Sequence, residues 1–320
     1  MEDGQFSGCS IWFYAPNKGA PIFFTIAFLG TGATHFHQAV HYQAWRLVSL
    51  YVFCSLLFVG GFVTRALSAW HCDDIINYIV SIVLIYAAPP LYELGNYYIL
   101  GRVLYFVPYY SPIHPGRVLT TFTAISTVIE ALNGTGAAYV ANVSLPKEKQ
   151  ELGRILFKVA LVLQLVVVSL FVTLAATFDY RCRKNGIRSH KVHQPLLTLY
   201  LSSGIIAVRC IYRTVEYFGG ETLSYYAGGV TASDISPVVR YEWFFYVFEA
   251  ALMLINSVLF NVRHPRRWLP KSTKLYLAKD GSEMMGPGYK EDRNFIATLL
   301  DPFDVYGMIN GRNKETRFWD

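Results

Sequence analysis

The residues best able to do chemistry in this chain are ionisable side chains set inside long apolar runs. Arg209, Arg213 and Glu216 stand at spacings of four and three within the run 195–218, which puts all three on one face of a helix. Glu242 and Glu249 are seven apart in the run 239–262, again on one face. Glu93 lies in the run 75–101 and Glu130 in the run 118–141. A charge in hydrocarbon is expensive, so each is expected to face a bundle interior or a watery cavity and to have a partner. Two arginines opposite two glutamates predict an interhelical ion-pair network, which Glu93 and Glu130 could join. Two readings of that network stay open at this point. It either sets how helices pack, or it handles the head group of a substrate.

Other chemistry is thinly supported. The patterns G-x-S-x-G, H-E-x-x-H and G-x-x-x-x-G-K-[ST] are absent, so the sequence suggests no enzyme, no cofactor and no ATP-driven pump. His35, His37 and His41 close the first apolar run, and the four-residue step from His37 to His41 can place two imidazoles on one metal. No Asp or Glu stands beside them, and the other candidates on the tail side are His114, His190, His193 and His264. They read as polar residues at the membrane interface, and no metal site is assigned. The five cysteines (9, 54, 72, 182 and 210) are too scattered for a disulfide scaffold or a C-x-x-C site. Cys9 and Cys72 are both expected on the outer side, where a bridge or two free thiols are equally compatible with the sequence. Asn142-Val143-Ser144 fits a glycosylation sequon at a helix end; Asn133-Gly134-Thr135 fits it too but lies within the expected bilayer.

The elements that must hold these groups emerge from hydropathy. The 320 residues have a mean hydropathy of +0.30 and only 16% charged residues, where a soluble domain carries about a quarter. The apolar residues gather at 20–41, 46–68, 75–101, 118–141, 155–178, 195–218 and 239–262. Each run has about the 20 residues that an α-helix needs to cross the hydrocarbon. The expectation is an all-α membrane protein, a seven-transmembrane helical bundle. It would have an extracellular segment 1–19, a transmembrane domain 20–262 and a cytoplasmic polar tail 263–320. Ala88-Pro89-Pro90 should break the third span, and Asn133-Gly134-Thr135-Gly136 offers small residues for close helix contact or local unwinding in the fourth. The tail is expected to be partly disordered, with a short amphipathic piece around Phe295–Leu300.

Charge gives the orientation. Fourteen Lys and Arg, from Arg46 through the Arg181–Lys191 loop to Lys279, fall on the tail's side, against five on the other: Lys18, Arg65, Lys147, Lys149 and Arg154. The positive-inside rule then places the N-terminus outside and the tail in the cytoplasm. The net charge of +6 is spread over helix ends, where it meets lipid head groups, so no nucleic-acid partner is expected. The first 18 residues lack the apolar core of a signal peptide, which leaves the first span as the expected insertion signal. No solenoid or inverted repeat is evident.

Five patches resemble a known family. Tyr14-Ala15-Pro16 with His35-Phe36-His37-Gln38 is similar to its opening, and Ala88-Pro89 with Tyr97-x-x-Leu100-Gly101-Arg102 to its third helix. Asn133-Gly134-x-Gly136 resembles its fourth-helix glycine patch, and Arg209-x-x-x-Arg213-x-x-Glu216-x-x-Gly219 its sixth helix. Glu242-x-x-x-Tyr246-x-x-Glu249-Ala250-x-x-Met253, then His264-Pro265, is similar to its seventh. Over residues 14 to 270 the chain resembles the fungal RTA-like (resistance to aminocholesterol) lipid-translocating exporters. It departs from their pattern near Thr123 and at Glu130, where that family often has Asp and Gln, and at Glu249, where it often has Asp. The resemblance implies translocation or export of amphiphilic lipids, such as sphingoid bases or sterol-like molecules, and resistance to toxic amphiphiles. Some members are tied to porphyrin traffic. It also implies membrane lipids or amphiphilic small molecules as partners, and a plasma-membrane location. The substrate-binding residues carried over are Glu93, Glu130, Arg209, Arg213, Glu216, Glu242 and Glu249. Two other classes stay open: a seven-helix sensor or receptor of lipid stress acting through a cytoplasmic partner, and a membrane enzyme acting on lipid.

Overall fold

Long helices form along the apolar runs, and some of them open on a capping side chain or a proline. The computed structural model describes residues 16–71, 74–142, 144–187, 189–225, 236–270, 272–279, 281–288, 294–301 and 305–310. The choice between a Cys9–Cys72 bridge and two thiols therefore lies outside the described residues, as do Tyr14 and Ala15. Helix α1 spans Gly19–His41, α2 Trp45–Trp70, α3 Ile75–Ala87, α4 Pro89–Phe106, α5 Pro115–Ala141, α6 Lys147–Lys184 and α7 His190–Tyr225. Two short turns, α8 (Pro237–Arg240) and α9 (Glu242–Phe245), lead into a π-helical segment at Tyr246–Ala251 and then α10, Leu252–Val262. The Asp74 carboxylate starts α3 by accepting from the N–H groups of Ile76 and Asn77 at 3.0 and 3.2 Å. His114 starts α5, where its imidazole accepts from Gly116 N–H at 3.3 Å and Pro115 fills the first position. The same His-Pro device recurs at His264, which accepts from Arg266 N–H at 3.2 Å. The helix break expected at Ala88-Pro89-Pro90 is present: α3 ends at Ala87 and α4 begins at Pro89.

Burial is inverted relative to a water-soluble bundle. On α1 the inward residues are Pro21, Phe24, Phe28, Thr31, His35 and Ala39, a stripe at helical spacing that includes a histidine. Phe23 (61% exposed), Ile26 (65%) and Leu29 (57%) point outward. The same holds for Phe53 and Leu56 on α2, Val83 on α3 and Val162 and Val166 on α6, while Arg65, Glu93, Arg209, Glu242 and Glu249 are buried. Large aliphatic groups outside and charges inside suit a hydrocarbon solvent. Five helical stretches among the described residues are long and apolar enough to cross a membrane: Leu47–Trp70, Ile75–Phe106, Lys147–Lys184, His190–Gly219 and Glu242–Arg267. Helices α1 and α5, 23 and 27 residues long, are not among them. The protein is an all-α, multi-pass integral membrane protein.

The chain divides into two compact units. Unit 1 is Met1–Tyr92 with Gly204–Val262. Within it α1 packs on α2, α2 on α3, and α1 on α10. Glycines let the backbones approach: a Cβ at Gly61 would come within 2.6 Å of Ile85, and one at Gly32 within 2.9 Å of Ser55. A stack of rings fills the centre, with Phe28 4.3 Å from Phe58 and Tyr51 4.7 Å from Phe260 between centroids.

Unit 2 is Glu93–Ser203 with Arg263–Asp320. Helices α5 and α6 cross at Gly136 and Gly153, where a Cβ on Gly136 would meet the Gly153 carbonyl at 2.8 Å and a Cβ on Gly153 the Gly136 carbonyl at 3.0 Å. The small-residue patch is thus a helix contact, made by Gly136 and not by Gly134, around which there is open space. The tail adds a feature the sequence does not suggest, an antiparallel hairpin of β1 (Leu275–Leu277) and β2 (Glu283–Met285). Its turn needs Gly281, whose φ of +85° is unfavourable for other residues. Lys191 pairs with Glu283, the Tyr105 hydroxyl accepts from Gly288 N–H at 2.9 Å, and Arg102 donates to the carbonyls of Pro270 and Ser272. Short helices α11 (Phe295–Leu300) and α12 (Val305–Ile309) come last.

Gly136→Val should therefore lower the stability of the detergent-purified protein by roughly 1–3 kcal/mol, the usual range for overpacking. Gly134→Ala should leave it unchanged or raise it by up to about 1 kcal/mol, since only helix propensity changes. Thermal unfolding of the two variants side by side checks this.

Candidate functional site

The charges of unit 1 form three buried or half-buried pairs among the described residues. Glu249, fully buried in the π segment, accepts from Arg209 Nε of α7 at 2.7 Å through its Oε1; Arg209 is itself 4% exposed. Its Oε2 has no protein hydrogen-bond partner among the described residues. Glu242, 3% exposed, meets Arg65 Nη2 of α2 at 2.8 Å. The Glu242 carboxylate is further held by the Tyr246 hydroxyl at 3.1 Å and the Asn17 N–H at 2.7 Å. Arg65 also donates to the Tyr246 hydroxyl at 3.3 Å and lies over the Phe245 ring at 4.1 Å. Arg213 pairs with Glu216 on its own helix and donates to the Tyr86 hydroxyl at 2.7 Å. Tyr212 donates to Glu216 at 2.9 Å.

The expected network is thus present for Arg209 and Glu249 and different elsewhere. Glu242 meets Arg65, which the charge count along the sequence places at the outer end of the run 46–68. Arg65 sits inside α2, with Ala66–Trp70 still to come, and is 2% exposed. The apolar residues after it are the signal that could have found it. Arg213 turns to its neighbour three residues on instead of to the last span. The π segment accounts for the separation of the two glutamates. A wide turn carries an extra residue and rotates the rest of the helix beyond it. Glu242 ahead of it meets α2, and Glu249 within it meets α7.

Glu93 and Glu130 belong to unit 2. Glu93, on α4, accepts from the Tyr97 hydroxyl at 3.1 Å and from Gln164 Nε2 of α6 at 3.0 Å. The Tyr97 hydroxyl also contacts Ser126 Oγ of α5 at 3.1 Å, and its ring packs on Phe122 and Phe171. Glu130 is half-buried on α5. Gln164 escapes a reading of the sequence, because a lone amide in an apolar run has no spacing partner to flag it. Among the histidines, His35 is buried against Ser257 at 3.2 Å, while His37 and His41 are exposed with rings 6.1 Å apart. No group of three or more potential metal ligands occurs among the described residues.

Chemically, Glu249 offers a carboxylate with one oxygen bound by a guanidinium and the other open to a further donor. Glu242 offers no such oxygen, since both of its oxygens accept hydrogen bonds. Removing one partner of a pair like Arg65–Glu242 strands a buried charge. Arg65→Leu should cost roughly 3–5 kcal/mol, and the double variant with Glu242→Leu should recover more than half of that. A double-mutant cycle on unfolding of the purified protein measures the coupling; additive losses would show that the pair is not coupled.

Comparison with known proteins gives a consistent placement. Residues 51–272 match the family described as RTA1 like protein. A lipid-translocating exporter-like protein RTA1 of Leptosphaeria maculans is 40% identical over 316 residues, covering 96% of this chain and 60% of its own. The chain therefore spans about three-fifths of that relative's length. A protein of the same description from Ajellomyces capsulatus is 28% identical over 271 residues, covering 80% of this chain and 81% of its own. A probable lipid transporter, atnI, of Emericella nidulans is 26% identical over 281 residues, covering 82% and 69%. No solved structure matches the chain significantly. The match over most of the apolar core, together with the 40% identical relative, means that this chain belongs to the RTA1-like family.

Proposed function

We propose that this protein moves amphiphilic lipids across a fungal membrane, taking a cationic head group at buried carboxylates while the chain stays in the bilayer. The single observation that carries the reading is the Glu249 carboxylate, fully buried in an apolar span, with Oε1 on Arg209 and Oε2 open. An ammonium such as that of a sphingoid base supplies the donors that this oxygen accepts, and a desolvated ammonium–carboxylate contact is strong where water is excluded. Arg209 keeps the site neutral when it is empty. Glu242, Arg213 and Glu216 in unit 1, and Glu93 and Glu130 in unit 2, are the further polar groups this reading assigns to the head group. The names of the relatives, lipid-translocating exporter-like protein and probable lipid transporter, support transport over catalysis.

In this reading the bundle has seven spans, the five apolar stretches together with α1 and α5, and lies in the plasma membrane. Residues 1–19 lie outside, 20–262 form the transmembrane domain, and 263–320 form a cytoplasmic tail.

Purified protein in vesicles tests the reading. Labelled sphingoid base should cross the bilayer with wild-type protein, and Glu249→Gln should slow it at least tenfold, about 1.4 kcal/mol. Glu249→Asp, which keeps the charge, should retain most of the rate and so controls for folding. An uncharged lipid of similar chain length should be indifferent to both substitutions. Wild-type rates in Glu249→Gln would refute the carboxylate's role, and vesicles that bind the lipid without moving it would point to a sensor.

A further inference from the structure

The seam between α1 and α10 in unit 1 is polar in a place where a membrane bundle is normally apolar. From α1 come His35 and Gln38; from α10 come Asn256, Ser257 and Asn261. His35 Nε2 contacts Ser257 Oγ at 3.2 Å, Gln38 Nε2 donates to the Asn261 carbonyl at 2.8 Å, and Asn261 Nδ2 donates to the Thr31 carbonyl at 3.3 Å. These bonds leave much of the seam's capacity unused. Asn256 is fully buried, and neither its Oδ1 nor its Nδ2 has a protein partner among the described residues. Gln38 Oε1, Asn261 Oδ1 and the hydroxyl of Tyr51, 1% exposed on α2, are likewise buried without one. Tyr51 places its ring 5.3 Å from His35 and 4.7 Å from Phe260, so its hydroxyl belongs to the same neighbourhood.

Five polar atoms without protein partners cannot stay bare in hydrocarbon. Bound water, which makes about three hydrogen bonds to groups of this kind, would satisfy such a set. The seam also has a direction. Gln38 and Asn261 stand at the ends of α1 and α10, where water is close, and Asn256 lies more than a turn deeper. Glu249, in the π segment that precedes α10, stands seven residues before Asn256, about 10 Å along the axis at the helical rise, and is the next ionisable group in that direction. His35 is the group in the seam whose ordinary ionisation lies near neutrality. Around it, Tyr51 with its neighbour Cys54 are the titratable groups from α2 and Tyr92 that from α4, Ser257 is the polar contact from α10, and Arg209, Arg213 and Glu216 of α7 are the charged groups near Glu249.

The geometry points to a hydrated proton path: water held by Asn256, Gln38, Asn261 and Tyr51 carries protons between the ends of α1 and α10 and Glu249, with His35 as the relay. A proton is taken up by His35 at one nitrogen, passed through bound water, and accepted at the Glu249 carboxylate; the imidazole returns to neutral and nothing is oxidised or reduced. Coupled to the proposed lipid movement, the path would let a proton gradient discharge the head group by protonating its carboxylate. That coupling rests on the translocator reading, whereas proton conduction does not.

The test uses the full chain in vesicles enclosing a pH-sensitive dye, with the potential clamped by potassium and its ionophore and a pH step imposed outside. Wild-type vesicles should take up protons at least tenfold faster than protein-free ones. His35→Gln, which keeps a hydrogen-bonding side chain but cannot carry the proton, should fall to the protein-free rate. Tyr51→Phe, which removes one hydroxyl and keeps the ring, should fall several-fold; both should still move labelled lipid down its gradient. Wild-type uptake no faster than protein-free vesicles, or His35→Gln uptake equal to wild type, overturns the path. Absence of lipid movement in wild type refutes the translocator reading and leaves the proton measurement to decide this one.

Discussion

Much of unit 1 depends on one constraint, that a carboxylate carried into hydrocarbon must meet a cation there. Glu242 and Glu249 leave the last span in different directions, and each finds an arginine, Arg65 of α2 and Arg209 of α7. Those two meetings set the rotation of the last span about its own axis, because turning it would pull both carboxylates away from their partners at once. Apolar packing alone could not do this. Leu, Ile and Val face lipid tails about as happily as they face one another, so dispersion contacts fix the spacing of helices better than their rotation. Polar pairs with one geometry supply the missing specificity. The π segment at Tyr246–Ala251 belongs to the same arrangement, since it lets one helix serve two neighbours.

A second consequence concerns what the interior can accept. The Glu242–Arg65 pair is closed, with both carboxylate oxygens engaged and the guanidinium covered by aromatic rings. The Glu249–Arg209 pair is open at one oxygen. A closed pair is suited to holding a structure and an open one to exchanging partners. The two glutamates, seven apart on one span, thus differ in how fully their oxygens are engaged. In unit 2 Glu93 takes hydrogen bonds from an amide and a phenol, a softer setting that uses neutral donors of α6 and α4.

Most of the helical plan is legible in the sequence, for identifiable reasons. Apolar runs of spanning length, the Ala88-Pro89-Pro90 break and the Gly136 contact are local signals, each decided within a few residues of the chain. The short helix at Phe295–Leu300 is equally local. The partner of Glu242 is not, because Arg65 comes 177 positions earlier and nothing in a single sequence shows which of several arginines a distant glutamate will meet. The burial of Arg65 is hidden for the same reason: a charge near a helix end is usually in the head-group layer, and only its packing against Phe245 and Tyr246 reveals otherwise. The hairpin at Leu275–Met285 is hidden because distant contacts to Lys191 and Tyr105 hold it, and three-residue strands leave little alternation to read.

The histidines illustrate how position changes the meaning of a residue type. His35, His37 and His41 form one cluster in the sequence and read together as interface residues. On the helix they separate, with His37 and His41 on the outer face and His35 turned inward to Ser257. Gln38 turns inward with His35, and Asn256 and Asn261 face them from α10, so the inward members are amides, hydroxyls and one imidazole. Amides and hydroxyls cost less to bury than an ion pair. The charged pairs toward one end of the last span and the polar seam toward the other therefore solve different problems along one helix: the first orients it, and the second, on the proposed proton path, keeps part of its length wet.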